Sequence, residues 1–251
     1  MSLIKTEQEI KQLREDGKVL ASVLKYVKNM VKPGITTAEL NTKAEELIMT
    51  AGGKPSFKGY GEPTPFPAGL CVSINEQVVH GIPGDRIIQK GDIVSLDIGM
   101  ERQGLFTDMA TTVAVGIISK QTKKLLKVTK KALDKGIEQC HQGNTLGDIG
   151  QAIQSYAEKN GFGVVRDLVG HGVGHAVHEY PSVPNFGRAG RGDKLQVGMV
   201  LALEPMLTIG SYDIDYCEDD WTIKTIDNSL SAHFEHTIAI TKQGPIIITD
   251  L

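Results

Sequence analysis

The chain has 251 residues, 40% of them hydrophobic and 23% charged, an ordinary globular composition with enough length to bury a core. Its formal charge of −3 excludes nucleic acid as the main partner, because phosphate binding wants a basic face. Acids at Glu7 and Glu9 where a leader would carry bases, no apolar stretch near the roughly 20 residues of a membrane helix, and three scattered cysteines without a C-x-x-C together predict a cytoplasmic protein with reduced thiols.

Thr6 and Glu9 form a capping box, and Ile10, Leu13, Leu20, Val23, Leu24, Val27 and Val31 then recur at helical spacing until Pro33-Gly34. Thr36 and Glu39 open a second helix, with Leu40, Ala44, Leu47 and Ile48 on its apolar stripe, ending at Gly52-Gly53. Residues 55–70 are rich in Pro, Gly and aromatics and read as a loop. Strands are predicted at Leu70–Ile74, Ile93–Ile98 and Met109–Val115. A third helix opens near Ser119 and ends at Gly143-Asn144, and a fourth runs from the Thr145/Asp148 cap to Asn160-Gly161. Strands dominate from Val164 onward.

The order of elements suggests a duplication, and the letters agree. Gly91-Asp-Ile-Val-Ser-Leu-Asp97 is matched 107 residues later by Gly198-Met-Val-Leu-Ala-Leu-Glu204. The helix-opening threonines Thr37 and Thr145 lie 108 apart, and the H-x-x-P pairs His80–Pro83 and His178–Pro181 lie 98 apart. Downstream of each carboxylate strand stands a second acid at a predicted strand start, Asp108 and Glu235. The reading is one domain of two facing half-repeats, roughly 1–117 and 118–251, each delivering one H-x-x-P and two acids.

Side chains alternate faces along a strand, and both carboxylate strands are apolar on both faces. Asp97 and Glu204 therefore sit where water is scarce, and an unpaired buried carboxylate costs several kcal/mol. Arg86 and Arg102 fall in predicted loops, so a metal is the simpler counter-charge. Four carboxylates with an imidazole suit Mn, Fe, Co or Zn, and exceed what one ion needs; two ions roughly 3.5–4 Å apart would use them all. The imidazole comes from Gly170-His-Gly-Val-Gly-His-Ala-Val-His-Glu179, which is not a zincin helix because Gly172 and Gly174 oppose one and HExxH is absent. In an extended segment His171 and His175 share one face and His178 takes the other, unless the glycines twist it.

At these residues the chain resembles the type I methionine aminopeptidases. His80-Gly-Ile-Pro, Gly91-Asp-Ile-Val-x-x-Asp97, Gly170-His171-Gly-x-Gly, His178-Glu-x-Pro, Glu204-Pro, Trp221-Thr and Glu235-His-Thr carry the likeness, which runs from about Ile4 to Thr249. The resemblance implies an α+β pita-bread fold, as in creatinase and prolidase: pseudo-twofold duplicated halves and an antiparallel curved sheet with helices on its outer face. It implies Asp97, Asp108, His171, Glu204 and Glu235 as ligands of two divalent ions (Co, Mn, Fe or Zn), with Asp108 and Glu235 bridging. His80 would contact the scissile amide, His178 the carbonyl oxygen, and Glu204 would also act as acid/base while a metal-bound hydroxide attacks the first peptide bond. Tyr60, Phe66, Cys71 and Trp221, with Phe57, would wall a methionine pocket.

The implied substrates are peptides and nascent proteins with an N-terminal methionine followed by a small residue. A monomer is expected, and the lysines Lys123, Lys124, Lys127, Lys130 and Lys131 suggest a transient ribosome contact. Three features depart from the family pattern: a longer loop 61–69, which puts Phe66 in question; Val177 where an aromatic is common, which widens the pocket; and His233 where glutamine is frequent, either beside the ligands or in a solvated turn. The alternatives are an X-Pro peptidase of the prolidase or aminopeptidase P type, and a non-catalytic pita-bread binding protein.

Overall fold

The computed structural model describes residues 3–250. Helices α1 (Glu7–Met30) and α2 (Thr37–Thr50) are followed by strands β1 (Lys54–Pro55), β2 (Leu70–Ile74), β3 (Gln77–Val79), β4 (Ile93–Arg102) and β5 (Leu105–Ala114). The plan then repeats. Helices α3 (Lys120–Ile137) and α4 (Leu146–Lys159) lead into β6 (Gly163–Val164), β7 (Gly170–Gly172), β8 (Glu179–Val183), β9 (Val200–Leu203) and β10 (Met206–Thr208). The chain closes with β11 (Ile214–Tyr216), β12 (Ile223–Thr225), β13 (Ser231–His233), β14 (His236–Thr241) and β15 (Gly244–Ile247).

Local chemistry starts the helices where the sequence predicts. The Thr6 N–H donates to Glu9 Oε2 at 2.7 Å while the Glu9 N–H donates to Thr6 Oγ1 at 3.2 Å, and Thr36 and Glu39 repeat the pair at the same distances. The Ser119 hydroxyl caps α3 by accepting the Thr122 N–H at 3.0 Å. Thr36, not Thr37, is the second cap; Thr37 is already helical and donates its hydroxyl to the Gly84 carbonyl at 3.0 Å. Equivalent bridges tie Thr36 to Ile87 and Thr145 to Lys194, so the duplication extends to how each cap is anchored.

Two sheets carry the two halves. In one, β4 pairs with β5 on one edge and with β2 and β1 on the other; the second has the order β15-β14-β9-β7-β8. Two three-stranded sheets, β13-β10-β6 and β11-β12-β3, complete the fold. Val94, Leu96, Ile98 and Met100 of β4 pack with Leu20 and Leu24 of α1 and Leu40 and Ile48 of α2. Leu201, Leu203, Ile238 and Ile240 pack with Leu125 and Leu133 of α3 and Ile149 and Ile153 of α4. Helix α1 also reaches the second half: Leu13 packs with Val200, Ala202, Ala239 and Ile248.

The halves are stitched along β5. Ala110 and Glu235 exchange backbone hydrogen bonds at 3.4 and 3.0 Å. On either side threonine hydroxyls replace ladder bonds: Thr237 accepts the Asp108 N–H at 3.0 Å and donates to the Asp108 carbonyl at 2.7 Å, and Thr112 does the same for His233 at 2.9 and 2.7 Å. Residues 108, 110 and 112 thus face 237, 235 and 233 in antiparallel order, which sets Asp108 and Glu235 as diagonal neighbours across the seam.

Candidate metal centre

Register brings the acids together. Asp97 stands opposite Cys71 on β2 and Ala110 on β5, and Asp108 stands opposite Gly99, so both aspartates share one face of the first sheet. Asp108 is mid-strand rather than at the strand start the sequence suggests, because β5 begins at Leu105, four residues before the predicted Met109; the turn Gln103-Gly104 lets the hairpin close early. In the second sheet His171 and Thr237 both stand opposite Ala202, and His236 opposite Leu203; continuing that register sets Glu204 beside Glu235. All five predicted ligands converge on the seam.

Ligand atoms of Asp108, His171 and Glu235 lie within 4.8 Å of one another. His171 Nε2 is 3.6 Å from Glu204 Oε1 and 4.0 Å from Asp108 Oδ2, and the Asp97 carboxyl reaches Asp108 closely enough to share a hydrogen bond. His171 Nδ1 is 2.9 Å from the Gly172 carbonyl, which can only accept, so Nδ1 carries the proton and Nε2 presents a lone pair to the carboxylates. Burial pushes the Asp97 carboxyl up to about 7, and burial with mutual repulsion raises Asp108, Glu204 and Glu235 well above the carboxylate range. Burial pulls His171 down to about 3, so its imidazole is neutral at pH 7.

The donor set fits divalent cations. Asp97 Oδ1, Asp108 Oδ1 and Glu235 Oε1 are buried without a hydrogen-bond partner, and among the described residues no lysine or arginine pairs with any of the four acids. Arg102 is engaged with Asp16 at 2.5 Å and Arg86 is exposed, so neither neutralises the cluster. Orphaned anionic oxygens around one space, beside an unprotonated imidazole nitrogen, are what a hard or borderline metal satisfies.

Above the acids opens a cleft of about 560 Å³. His80 and His178 both line it, and burial with His178 nearby lowers His80 to about 4. His178 packs its ring edge-on to His171 at 4.3 Å and tilts against Tyr60 at 4.9 Å, and burial lowers its basicity too. The extended-segment expectation for the histidines is corrected here: His178 joins His171, and His175 turns away to Glu9 at 2.7 Å. β7 ends at Gly172, and Gly174, at φ +133°, reverses the chain before His178.

Phe57, Phe66, Cys71 and Val177 form one buried wall with Trp221 at its rim, Phe66 meeting Trp221 edge-on at 5.3 Å. The longer loop therefore delivers Phe66 into the wall, and its Thr64 carbonyl accepts the Trp221 indole N–H at 2.9 Å. Tyr60 is at the mouth, 41% exposed. His233 is buried, 3.8 Å from Glu204 Oε2 and 3.9 Å from Glu235 Oε2, beside the acids rather than in a solvated turn. The sequence reading missed Val79, Leu168, Val169, Tyr180 and Ser182, which also line the cleft. Leu168 and Val169 were findable as immediate neighbours of Gly170-His171; Tyr180 and Ser182 had only their place after His178. Glu179 had a signal, a motif letter left without a task.

The chain is similar to known proteins over nearly its whole length. A methionine aminopeptidase of Clostridium perfringens is 52% identical over 99% of both chains. The crystal structure of methionine aminopeptidase from Thermotoga maritima superposes with a TM-score of 0.96 at 43% identity, covering 99% of each chain. The prolidase from Pyrococcus horikoshii OT3 matches at a TM-score of 0.80 and 25% identity, covering 99% of this chain but 63% of its own. The pattern of metallopeptidase family M24 fits residues 11–242. With that span matched and the duplicated acids meeting at the seam, the chain belongs to metallopeptidase family M24.

Proposed function

We propose that this chain is a methionyl aminopeptidase, removing the N-terminal methionine from peptides and nascent proteins. The observation that carries the reading is the buried set of four carboxylates and the Nε2 of His171 on the floor of an aromatic-walled cleft. Asp97, Asp108, His171, Glu204 and Glu235 would hold two divalent ions, Co, Mn, Fe or Zn, with Asp108 and Glu235, adjacent across the seam, serving both. When bound, such ions supply a water nucleophile near neutral pH and polarise the peptide carbonyl.

The remaining work falls to side chains. Phe57, Phe66, Cys71 and Trp221, with Tyr60 at the mouth, present an apolar, sulfur-tolerant wall to the methionine side chain. His178, neutral at pH 7, donates a hydrogen bond to the carbonyl oxygen as negative charge grows there. His80, also neutral and lining the same cleft, contacts the scissile amide nitrogen. Glu204, on the floor of the cleft beside His171, moves the proton from the attacking water to the departing amine. We read all 251 residues as one catalytic domain of two half-repeats, acting as a monomer, with the α3 lysines as the candidate ribosome contact.

The test is a peptide panel, Met-Ala-Ser against Leu-Ala-Ser and Ala-Pro-Ser, with the chelated protein reloaded with Mn, Fe, Co or Zn. Methionine release that chelation abolishes and metal restores is expected. Preferential cleavage of the X-Pro bond would transfer the chain to the prolidase reading. No metal-dependent release from any peptide would end both.

A further inference from the structure

The established motif residues leave Glu179 without a task, yet it follows His178 directly and faces the most deeply buried lysine. The Lys5 side chain has no solvent exposure, and its Nζ lies 2.5 Å from Glu179 Oε2 across 174 residues of sequence. The other oxygen, Glu179 Oε1, accepts the backbone N–H groups of His175 and of Ala176, the latter at 2.8 Å. One carboxylate thereby closes the turn that returns the chain from Gly174 to His178.

The N-terminal segment is tied to that turn and to the neighbouring strand by three further contacts. The Lys5 N–H donates to the Gly198 carbonyl at 2.8 Å, fixing the segment to the start of the second carboxylate strand. The lysine stem crosses Gly174, where a Cβ would lie 2.5 Å from Lys5 Cε and would displace the stem. Glu9, in the first turn of α1, holds the His175 ring at 2.7 Å. The His178 ring lies against those of His171 and Tyr60, where the turn presents it.

We propose that Lys5 is a positioning residue for His178: the buried Lys5–Glu179 pair fixes the 174–178 turn, and through it the imidazole that meets the substrate carbonyl. The proposal rests on the aminopeptidase reading. A buried carboxylate stripped of its cation relaxes toward water, and here it would draw the His175 and Ala176 amides with it. Displacing a catalytic group by about 1 Å costs up to ~100-fold in rate, with little effect on ground-state binding.

The experiment is a double-mutant cycle on Met-Ala-Ser hydrolysis, with kcat, KM and metal affinity measured for wild type, Lys5→Met, His178→Ala and the double variant. Lys5→Met is expected to lower kcat roughly tenfold or more in the wild-type background and by less than about threefold in the His178→Ala background, with KM and metal affinity little changed. An equal loss of kcat in both backgrounds, or none in either, overturns the proposal. If circular dichroism shows Lys5→Met unfolded, Glu179→Gln runs the same cycle with the same criteria, since its amide oxygen still accepts both N–H groups while the ion pair is gone. A wild type that binds metal but releases no methionine refutes the aminopeptidase reading instead, and a wild type active with an additive cycle refutes only the role of Lys5.

Discussion

His178 and His171 share a ring contact of 4.3 Å but have separable tasks, and substitution should separate them. On the proposed reading His178→Ala removes one hydrogen-bond donor to the developing oxyanion, so kcat should fall roughly 10²–10³-fold while metal affinity stays near wild type. His171→Ala removes a neutral nitrogen from the donor set, so metal affinity itself should fall; isothermal titration with Mn²⁺ or Co²⁺ beside kcat resolves the two. Equal metal affinity in wild type and His171→Ala would remove His171 from the centre. The sequence displays residues of this kind clearly, because a buried acid or a histidine among glycines is anomalous wherever it stands. It does not display which way a short segment turns. His175 and His178 exchange their expected faces because Gly174 adopts a positive φ, and no alternation rule covers that residue. His233 was undecided for a similar reason: its burial comes from Thr112 clamping its backbone, a contact 121 residues away in sequence.

Elements are legible where their signals are local. Capping boxes at Thr6 and Thr36 and the Ser119 cap fix three helix starts to the residue or its neighbour. Strand ends are less so: β4 and β5 run on to Arg102 and back to Leu105, beyond the apolar runs that reveal them, because their pairing with each other continues to the turn. Gly17, in the interior of α1, shows how an element can obey a partner rather than its own propensity. Alanine there should strengthen the helix by about 0.5–1 kcal/mol. A Cβ at Gly17, however, would lie 2.2 Å from the Ile248 carbonyl oxygen, and α1 packs on that segment through Leu13. Overpacking of this kind typically costs 1–3 kcal/mol. Gly17→Ala is therefore expected to lower Tm despite its better propensity, and calorimetry showing a raised Tm would mean that α1 and the C-terminal segment are not in this contact.

At the scale of the molecule, the repeated motifs announce two halves, but not the seam on which everything converges. Asp108 meets Thr237 and Ala110 meets Glu235 through hydrogen bonds that no spacing predicts. The seam gathers four carboxylates around one space, and that has a consequence for stability. Burial holds the Asp97 carboxyl at about 7 in the folded chain, against about 3.8 when unfolded, and raises its three neighbours as well. Between those limits the folded state binds more protons than the unfolded state, so metal-free stability falls as pH rises toward and through the folded value. The buried histidines act oppositely, but only at lower pH: His80, at about 4, and His171 and His233, at about 3, add stability as pH climbs toward their unfolded 6.5 and nothing above it. Above pH 6.5 the histidines no longer contribute, and the carboxylates set the slope, joined toward pH 8.5 by the thiols of Cys71, Cys140 and Cys217, which burial also raises. From pH 6.5 to about pH 8.5, Asp97 loses on the order of 0.8 kcal/mol, or roughly 2–3 °C in Tm for a chain of this size. A bound divalent cation takes the place of those protons, so the loaded protein should show no such fall, and the gap between loaded and chelated Tm should widen with pH. Asp97→Asn, which carries no charge to lose, should flatten the metal-free slope. Scanning calorimetry of the chelated protein across this window decides the matter: a Tm that holds steady or climbs would mean that the four acids are neutralised by something other than protons or metal.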